Sequence, residues 1–200
     1  MKLYYSPGAC SLSPNIILHE IGAEFVLARV DLATKTLEVS RDFRSVTAKG
    51  QVPALELGDG SVLTEGVAIV LHLADSAPAA GLIPPAGSIA RARVQEMLNF
   101  IATELHKAFG PLFNPASSAD ARAAATALVS SKLDVLEGQL ADGRHWLCGS
   151  QFTPADSYGF AVTRWTAFQG IDLNRWPAIV DWMDRVGSRP AVKDAMAREA

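Results

Sequence analysis

Apolar and polar positions along this chain follow two different patterns. Residues 1–75 mix short strand-like runs with helix-like ones, whereas residues 89–200 read almost wholly as helix. Lys2-Leu3-Tyr4-Tyr5 predicts a strand. A helix follows from Pro14 to Ile21, with Ser13 as its N-cap, Pro14 at the first helical position and Gly22 as a left-handed terminator. Phe25 to Val30 predicts a second strand, and a strand that follows a crossover helix pairs in parallel. A helix is expected over about Leu37 to Val46. Ala54 to Leu57 and Ser61 to Leu63 predict strands joined by a Gly58-Asp59-Gly60 turn, and Glu65 to Ala74 a closing helix. In the second half, helices are expected from Ile89 towards Phe109, from Ala119 to Leu140, from Pro154 to Phe168, from Pro177 to Val186 and from Pro190 to about Ala197. Gly110-Pro111 is expected to stop the first of these, and Gly187 to end the fourth in the left-handed conformation. Thr153-Pro154-Ala155-Asp156 reads as a capping box, with Phe152 as the staple before it.

The order β-α-β-α-β-β-α in the first half is that of a thioredoxin-like domain. The expected fold class is therefore α+β, with a thioredoxin-like domain over 1–76, a linker over 77–88 and an all-helical domain over 89–200. The linker is dense in proline and glycine, which block regular structure. With 49% hydrophobic and 20% charged residues, neither a disordered tail nor a low-complexity protein fits. A net charge of -3 gives no general attraction to nucleic acid or to an anionic membrane. No apolar run is long enough to span a bilayer, and Pro7 comes before any stretch that could serve as a signal peptide, so a cytoplasmic protein is expected. Cys10 and Cys148 are too few for a disulfide scaffold or a Cys-only zinc site, and no metal is expected.

Chemistry is expected at the C-terminal ends of the strands. Cys10 lies in the loop Ser6 to Ser11 between the first strand and first helix, where the helix N-terminus can lower a thiol pKa. From position alone it is either a reactive cysteine or a small buried residue. Pro53 precedes a strand. In the cis form it would turn the backbone N–H and C=O of Val52 outward to pair with an extended peptide; in the trans form it would only start a strand. Thr64 can cap the next helix, and Glu65 suits its positive end and can pair with an ammonium. Free N–H groups there can hold a carboxylate. Capping alone leaves Gly66 unexplained, because glycine inside a helix costs about 1 kcal/mol. Lys35, just after the second strand, is a solvated loop lysine or one that reaches a ligand carboxylate.

On the long helix, Met97, Phe100, Ile101, Leu105 and Ala108 share an apolar side. Asn99, Thr103 and His106 stand on the opposite side with Lys107 beside them. That stripe is a solvated face or the wall of a site. Glu104 falls on the flank of the apolar side, where a carboxylate needs a partner. Cys148 reads as an inert buried thiol. His19, His72 and His145 read as structural or surface residues, and Trp165, Trp176 and Trp182 as helical core.

These motifs, in this order and spacing, resemble the cytosolic glutathione S-transferases along the whole chain. The segments Pro7-Gly8-Ala9-Cys10-Ser11-Leu12 and Asn99 to Lys107 resemble the bacterial beta class in particular. The resemblance implies an enzyme that conjugates glutathione, as co-substrate, to electrophilic hydrophobic compounds, with thiol–disulfide exchange through Cys10. No tightly bound cofactor is implied. It also implies a homodimer whose partners are glutathione and the electrophile. Cys10 and His106 would be catalytic. Glutathione would meet Cys10, Lys35, Val52, Glu65, Gly66, Asn99, Thr103, Glu104 and His106, some of the helical-domain residues reaching across the dimer interface. Lys107 would border the electrophile pocket, and Pro53 would be the cis-proline. Many relatives carry serine where this chain has Gly66, so here a backbone N–H remains without a hydroxyl. Tyr5 stands where other classes place an activating tyrosine; the beta class assigns it no such role. Because fold does not fix function, two alternatives for this chain stay open: a role mainly as a glutathione-dependent disulfide reductase or peroxidase, or as a non-catalytic ligand-binding or regulatory protein on the same fold.

Overall fold

The computed structural model describes residues 1–38 and 41–199. Contacts gather the chain into two units, Met1–Ile83 together with Ser188–Ala200, and Pro84–Gly187. The boundary falls within the expected linker, part of which is a 3-10 turn at Pro78–Ala80. The helical half, expected to run through residue 200, gives its last helix to the first unit. There α10 (Pro190–Glu199) packs on α1 (Leu12–Glu20). Asn15 Nδ2 donates to the Ala195 carbonyl at 3.2 Å and to Glu199 Oε1 at 3.1 Å. Arg189 grips Glu20 through two bonds of 2.6 and 2.7 Å. Helical periodicity reveals the helix, but links across more than 160 positions decide which unit it joins.

The first unit holds a five-stranded sheet in the order β3-β2-β1-β4-β5. These strands are β1 (Lys2–Tyr5), β2 (Val26–Asp31), β3 (Thr36–Leu37), β4 (Ala54–Glu56) and β5 (Val62–Thr64). Strand β1 runs parallel to β2 and antiparallel to β4, and β4 and β5 form the expected hairpin with Gly60 at φ 84°. Helices α1 and α2 (Gly66–Ser76) pack together, burying Ile16, Ile17, Ile69 and Leu73. Tyr4, Val30, Phe43 and Ala54 form a separate cluster.

Two expectations fail here. Helix α1 starts ahead of the Ser13–Pro14 signal, because the chain already turns helically from Ala9, whose carbonyl accepts from Leu12 N at 3.2 Å. Ser13 is fully buried inside α1, while Gly22 does adopt φ 64°. The helix expected over Leu37 to Val46 is replaced by a hairpin, β2 to β3, and a 3-10 turn at Phe43–Ser45; Val39 and Ser40 lie outside the described residues. Aspartates decide this locally. Asp31 Oδ1 accepts from Ala33 N and Thr34 N, and Asp42 Oδ1 accepts from Arg44 N, each within 3.1 Å. Such side-chain bonds compete with the helical ladder.

The second unit consists of α3 (Ile89–Phe100), a π-helical turn (Ile101–Leu105), α4 (His106–Ala108), α5 (Gly110–Phe113), α6 (Ala119–Leu140), α7 (Pro154–Thr163), α8 (Trp165–Phe168) and α9 (Pro177–Gly187). Gly110-Pro111 does not end the helical run but opens α5, with proline near its start where the missing N–H is harmless. The helix expected from Pro154 to Phe168 breaks at Arg164. Gly187 lies within α9 rather than in a left-handed cap. An added Cβ there would lie 3.6 Å from the Phe160 ring, an ordinary contact, so neither a left-handed backbone nor crowding calls for glycine at this position. The capping box forms as expected. Its Asp156, fully buried, accepts from Thr153 N, Thr153 Oγ1, Leu147 N and Trp182 Nε1 at 2.8–3.0 Å.

Candidate active site

In the first unit the site grows from the loop after β1. Ser11, fully buried, clasps Ser6 by donating to its carbonyl and accepting from its N–H, both at 3.2 Å. Gly8 takes φ 74° in the same turn. The Cys10 carbonyl accepts from Ser13 N at 3.0 Å, so Cys10 stands immediately ahead of α1, where the helix dipole favours a thiolate. Its half-buried Sγ lies 3.8 Å from the Val52 carbonyl oxygen. The Val52–Pro53 peptide is cis, the first of the two forms open to the sequence.

Thr64 is not the cap of α2: it ends β5, paired with Ala54. The residue ahead of α2 is Glu65, with φ 70° and ψ 114°, and its carbonyl accepts from Ile69 N at 2.9 Å. Gly66 is then the first helical residue rather than an interior one, which removes the helix cost attributed to it. By α-helix geometry the first N–H groups of α2 have no partner within the helix. The exposed Glu65 carboxylate pairs with Lys49. Lys35, at φ 59°, is held by its own N–H on the Asp31 carbonyl and by Phe43 N on its carbonyl, both at 2.8 Å.

In the second unit the polar stripe is rearranged by the π-helical turn Ile101–Leu105. One extra residue in a turn rotates everything beyond it by roughly 100° about the axis, and such turns concentrate at functional sites. Asn99 and Thr103 stay exposed, with side chains folded back onto the carbonyls of Gln95 and Asn99 at 2.8 and 3.0 Å. His106, expected beside them, turns inward. Its Nδ1 is 2.9 Å from the Tyr158 hydroxyl, and the edge of its ring meets Trp165 with centroids 4.7 Å apart. Burial, aided by the positive charge of Lys107, lowers the imidazole pKa to about 4. Lys107 is exposed, and Glu104 finds its partner in Lys132, at 2.8 Å.

Residues 8–76 match the description "Glutathione S-transferase, N-terminal domain", and residues 100–190 match the corresponding C-terminal domain. The chain is 47% identical to the glutathione S-transferase GstA of Escherichia coli O157:H7, over 100% of this chain and 98% of that one. It belongs to the glutathione S-transferase family. A sphingomonad glutathione S-transferase solved in complex with glutathione superposes with a TM-score of 0.96 at 46% identity, covering 100% of this chain and 98% of its own. A bacterial beta-class glutathione S-transferase of Sphingomonas chungbukensis gives 0.97 at 44%, covering 100% and 99%.

Four residues of this glutathione S-transferase escaped the sequence reading: Lys49, Lys132, Tyr158 and Trp165 as partners of Glu65, Glu104 and His106. Only Lys49 carried a local signal, standing just ahead of Gln51-Val52-Pro53. Cys148 is half-buried, and burial first, then the Asp156 carboxylate, push its thiol up to about 12, so it holds its proton at neutral pH. Among the described residues no three His, Cys, Asp or Glu side chains are placed to hold a metal ion, and no helix is long and apolar enough to cross a membrane.

Proposed function

We propose that the protein is a homodimeric glutathione transferase that joins the sulfur of glutathione to electrophilic carbon in hydrophobic compounds. The observation that carries this is the Cys10 sulfur beside the Val52 carbonyl, in a member of the glutathione S-transferase family. Val52 pairs with the cysteinyl backbone of the peptide. Glu65 takes its ammonium, the N–H of Gly66 a carboxylate, and Lys35 the glycyl end. Asn99, Thr103, Glu104 and His106 complete the site, some of them from the second subunit, and Lys107 borders the electrophile.

In conjugation the glutathione thiol loses its proton to solvent, and its sulfur forms a bond to carbon as the leaving group departs with its electron pair. His106 acts as a neutral imidazole. With the Tyr158 hydroxyl donating to Nδ1, Nε2–H is left to donate to the developing thiolate. In disulfide exchange, the Cys10 thiolate attacks one sulfur of glutathione disulfide. A Cys10–glutathione disulfide forms, the original S–S bond breaks, and one glutathione leaves as thiolate.

The test is calorimetric titration with glutathione, followed by conjugation and disulfide-exchange rates for the unaltered protein, Cys10→Ala and His106→Ala. Cys10→Ala is expected to abolish exchange and keep part of the conjugation. His106→Ala should lower conjugation, by up to about 10²-fold, more than binding. Glutathione that fails to bind, or full exchange by Cys10→Ala, overturns the corresponding part.

A further inference from the structure

Lys49 reaches from the turn before Gln51 to the far side of the candidate site. Its Nζ donates to Thr64 Oγ1 at 2.9 Å and pairs with the Glu65 carboxylate. Side chains in this pair are 49% and 68% exposed, and an ion pair that open adds little to folding. Glu65 meanwhile holds a positive φ, a costly conformation for a residue with a Cβ, so the weak pair does not compensate for it. Lys49 therefore needs a reason other than stability to stand there.

Charge matching supplies one. The loop ahead of Val52 is flanked, among the described residues, by two lysines, Lys35 and Lys49, the second of them on the Glu65 carboxylate. Lys35 lies on the other side of the same loop, where a Cβ added to Gly50 would be 3.8 Å from its Cδ. Arg44, also against Gly50, is already committed to Asp42 through bonds of 3.0 and 3.2 Å. Glutathione carries one ammonium and two carboxylates. At its γ-glutamyl end the ammonium and a carboxylate sit on the same carbon. A carboxylate residue that takes the ammonium thus brings the ligand carboxylate to within a few ångström of whatever stands beside that residue. Beside Glu65 stand Lys49 and the N-terminus of α2.

We propose that Lys49 is a specificity-determining binding residue for the α-carboxylate of the γ-glutamyl group, a role that rests on the transferase reading above. Without ligand it neutralises Glu65. With ligand it shares Glu65 with the incoming ammonium and, together with the first N–H groups of α2, holds the carboxylate. The site then selects the complete α-amino-acid zwitterion of the γ-glutamyl end over an amine alone.

The test is calorimetric titration of the unaltered protein, Lys49→Met and Lys49→Arg with two probes. One is glutathione; the other is γ-aminobutyryl-cysteinyl-glycine, which lacks only that carboxylate. Lys49→Met is expected to bind glutathione on the order of tenfold more weakly while binding the second probe no more weakly than the unaltered protein does, with Lys49→Arg restoring most of the loss. Equal weakening for both probes would make Lys49 a mere support for Glu65 and overturn the proposal, as would no weakening at all. Failure of the unaltered protein to bind glutathione would instead overturn the transferase reading and this role with it. Unfolding midpoints of the variants, expected to match the unaltered protein, exclude loss of the fold as the cause.

Discussion

His106 should make this protein sensitive to mild acid. Its imidazole is held near 4 in the folded chain against 6.5 for an unperturbed histidine, chiefly by burial against Tyr158 and Trp165 and secondly by Lys107. As pH falls, the unfolded chain takes up the proton first. Stability is therefore complete above about pH 6.5, drains away between there and about pH 4, and levels off below. At 1.36 kcal/mol per pKa unit, this drop corresponds to about 3 kcal/mol in all, with a slope approaching 1.4 kcal/mol per pH unit. The assay is urea unfolding followed by tryptophan fluorescence at fixed protein concentration, from pH 7.5 to pH 4, for the unaltered protein and His106→Gln. Other titrating groups cancel in the difference, so the variant should gain about 3 kcal/mol relative to the unaltered protein across that range. A difference that stays flat with pH, or an NMR titration of the His106 ring with its midpoint above 6, would refute the reasoning. The same shift means that conjugation between pH 6 and 8 should show no ionisation belonging to this histidine.

Cys10 should be alkylated much faster than Cys148, whose thiol is pushed up to about 12; peptide mapping after brief labelling measures both, and equal rates would count against the helix-terminus site. Asp156→Ala leaves donors from Thr153, Leu147 and Trp182 without their acceptor and should cost about 3–5 kcal/mol in urea unfolding, whereas a loss under 1 kcal/mol would mean the box is not a keystone. Gly159→Ala places a methyl group 3.0 Å from Leu147 Cδ1 and 3.1 Å from Trp182 Cη2, and overpacking should lower stability by about 1–3 kcal/mol despite the better helix propensity.

Much of the candidate site was legible because its signals are local. A helix terminus near Cys10, a proline after Val52 and an acid-glycine pair at Glu65-Gly66 each act through neighbours one to four positions away, although α1 begins two residues before Pro14 and Glu65, not Thr64, precedes α2. The same holds for α6, whose bounds match the expected helix, and for the capping box at Thr153 and Asp156. What stayed hidden depends on residues distant along the chain or on small differences between backbone states. The π-helical turn at Ile101–Leu105 leaves an apolar pattern still close to helical, yet it turns His106 from the solvated stripe onto Tyr158, 52 positions on. The β2–β3 hairpin wins over a helix through two aspartate side chains whose competition with the backbone no periodicity records. Lys49 and Glu65 meet because the β4–β5 hairpin folds the chain back, and α10 joins the first unit through distant residues such as Asn15, Glu20 and Phe25. Local preference sets which backbone each segment can adopt, while burial and pairing over long separations decide where that segment's side chains end, and with them which charges and rings the chemistry can use.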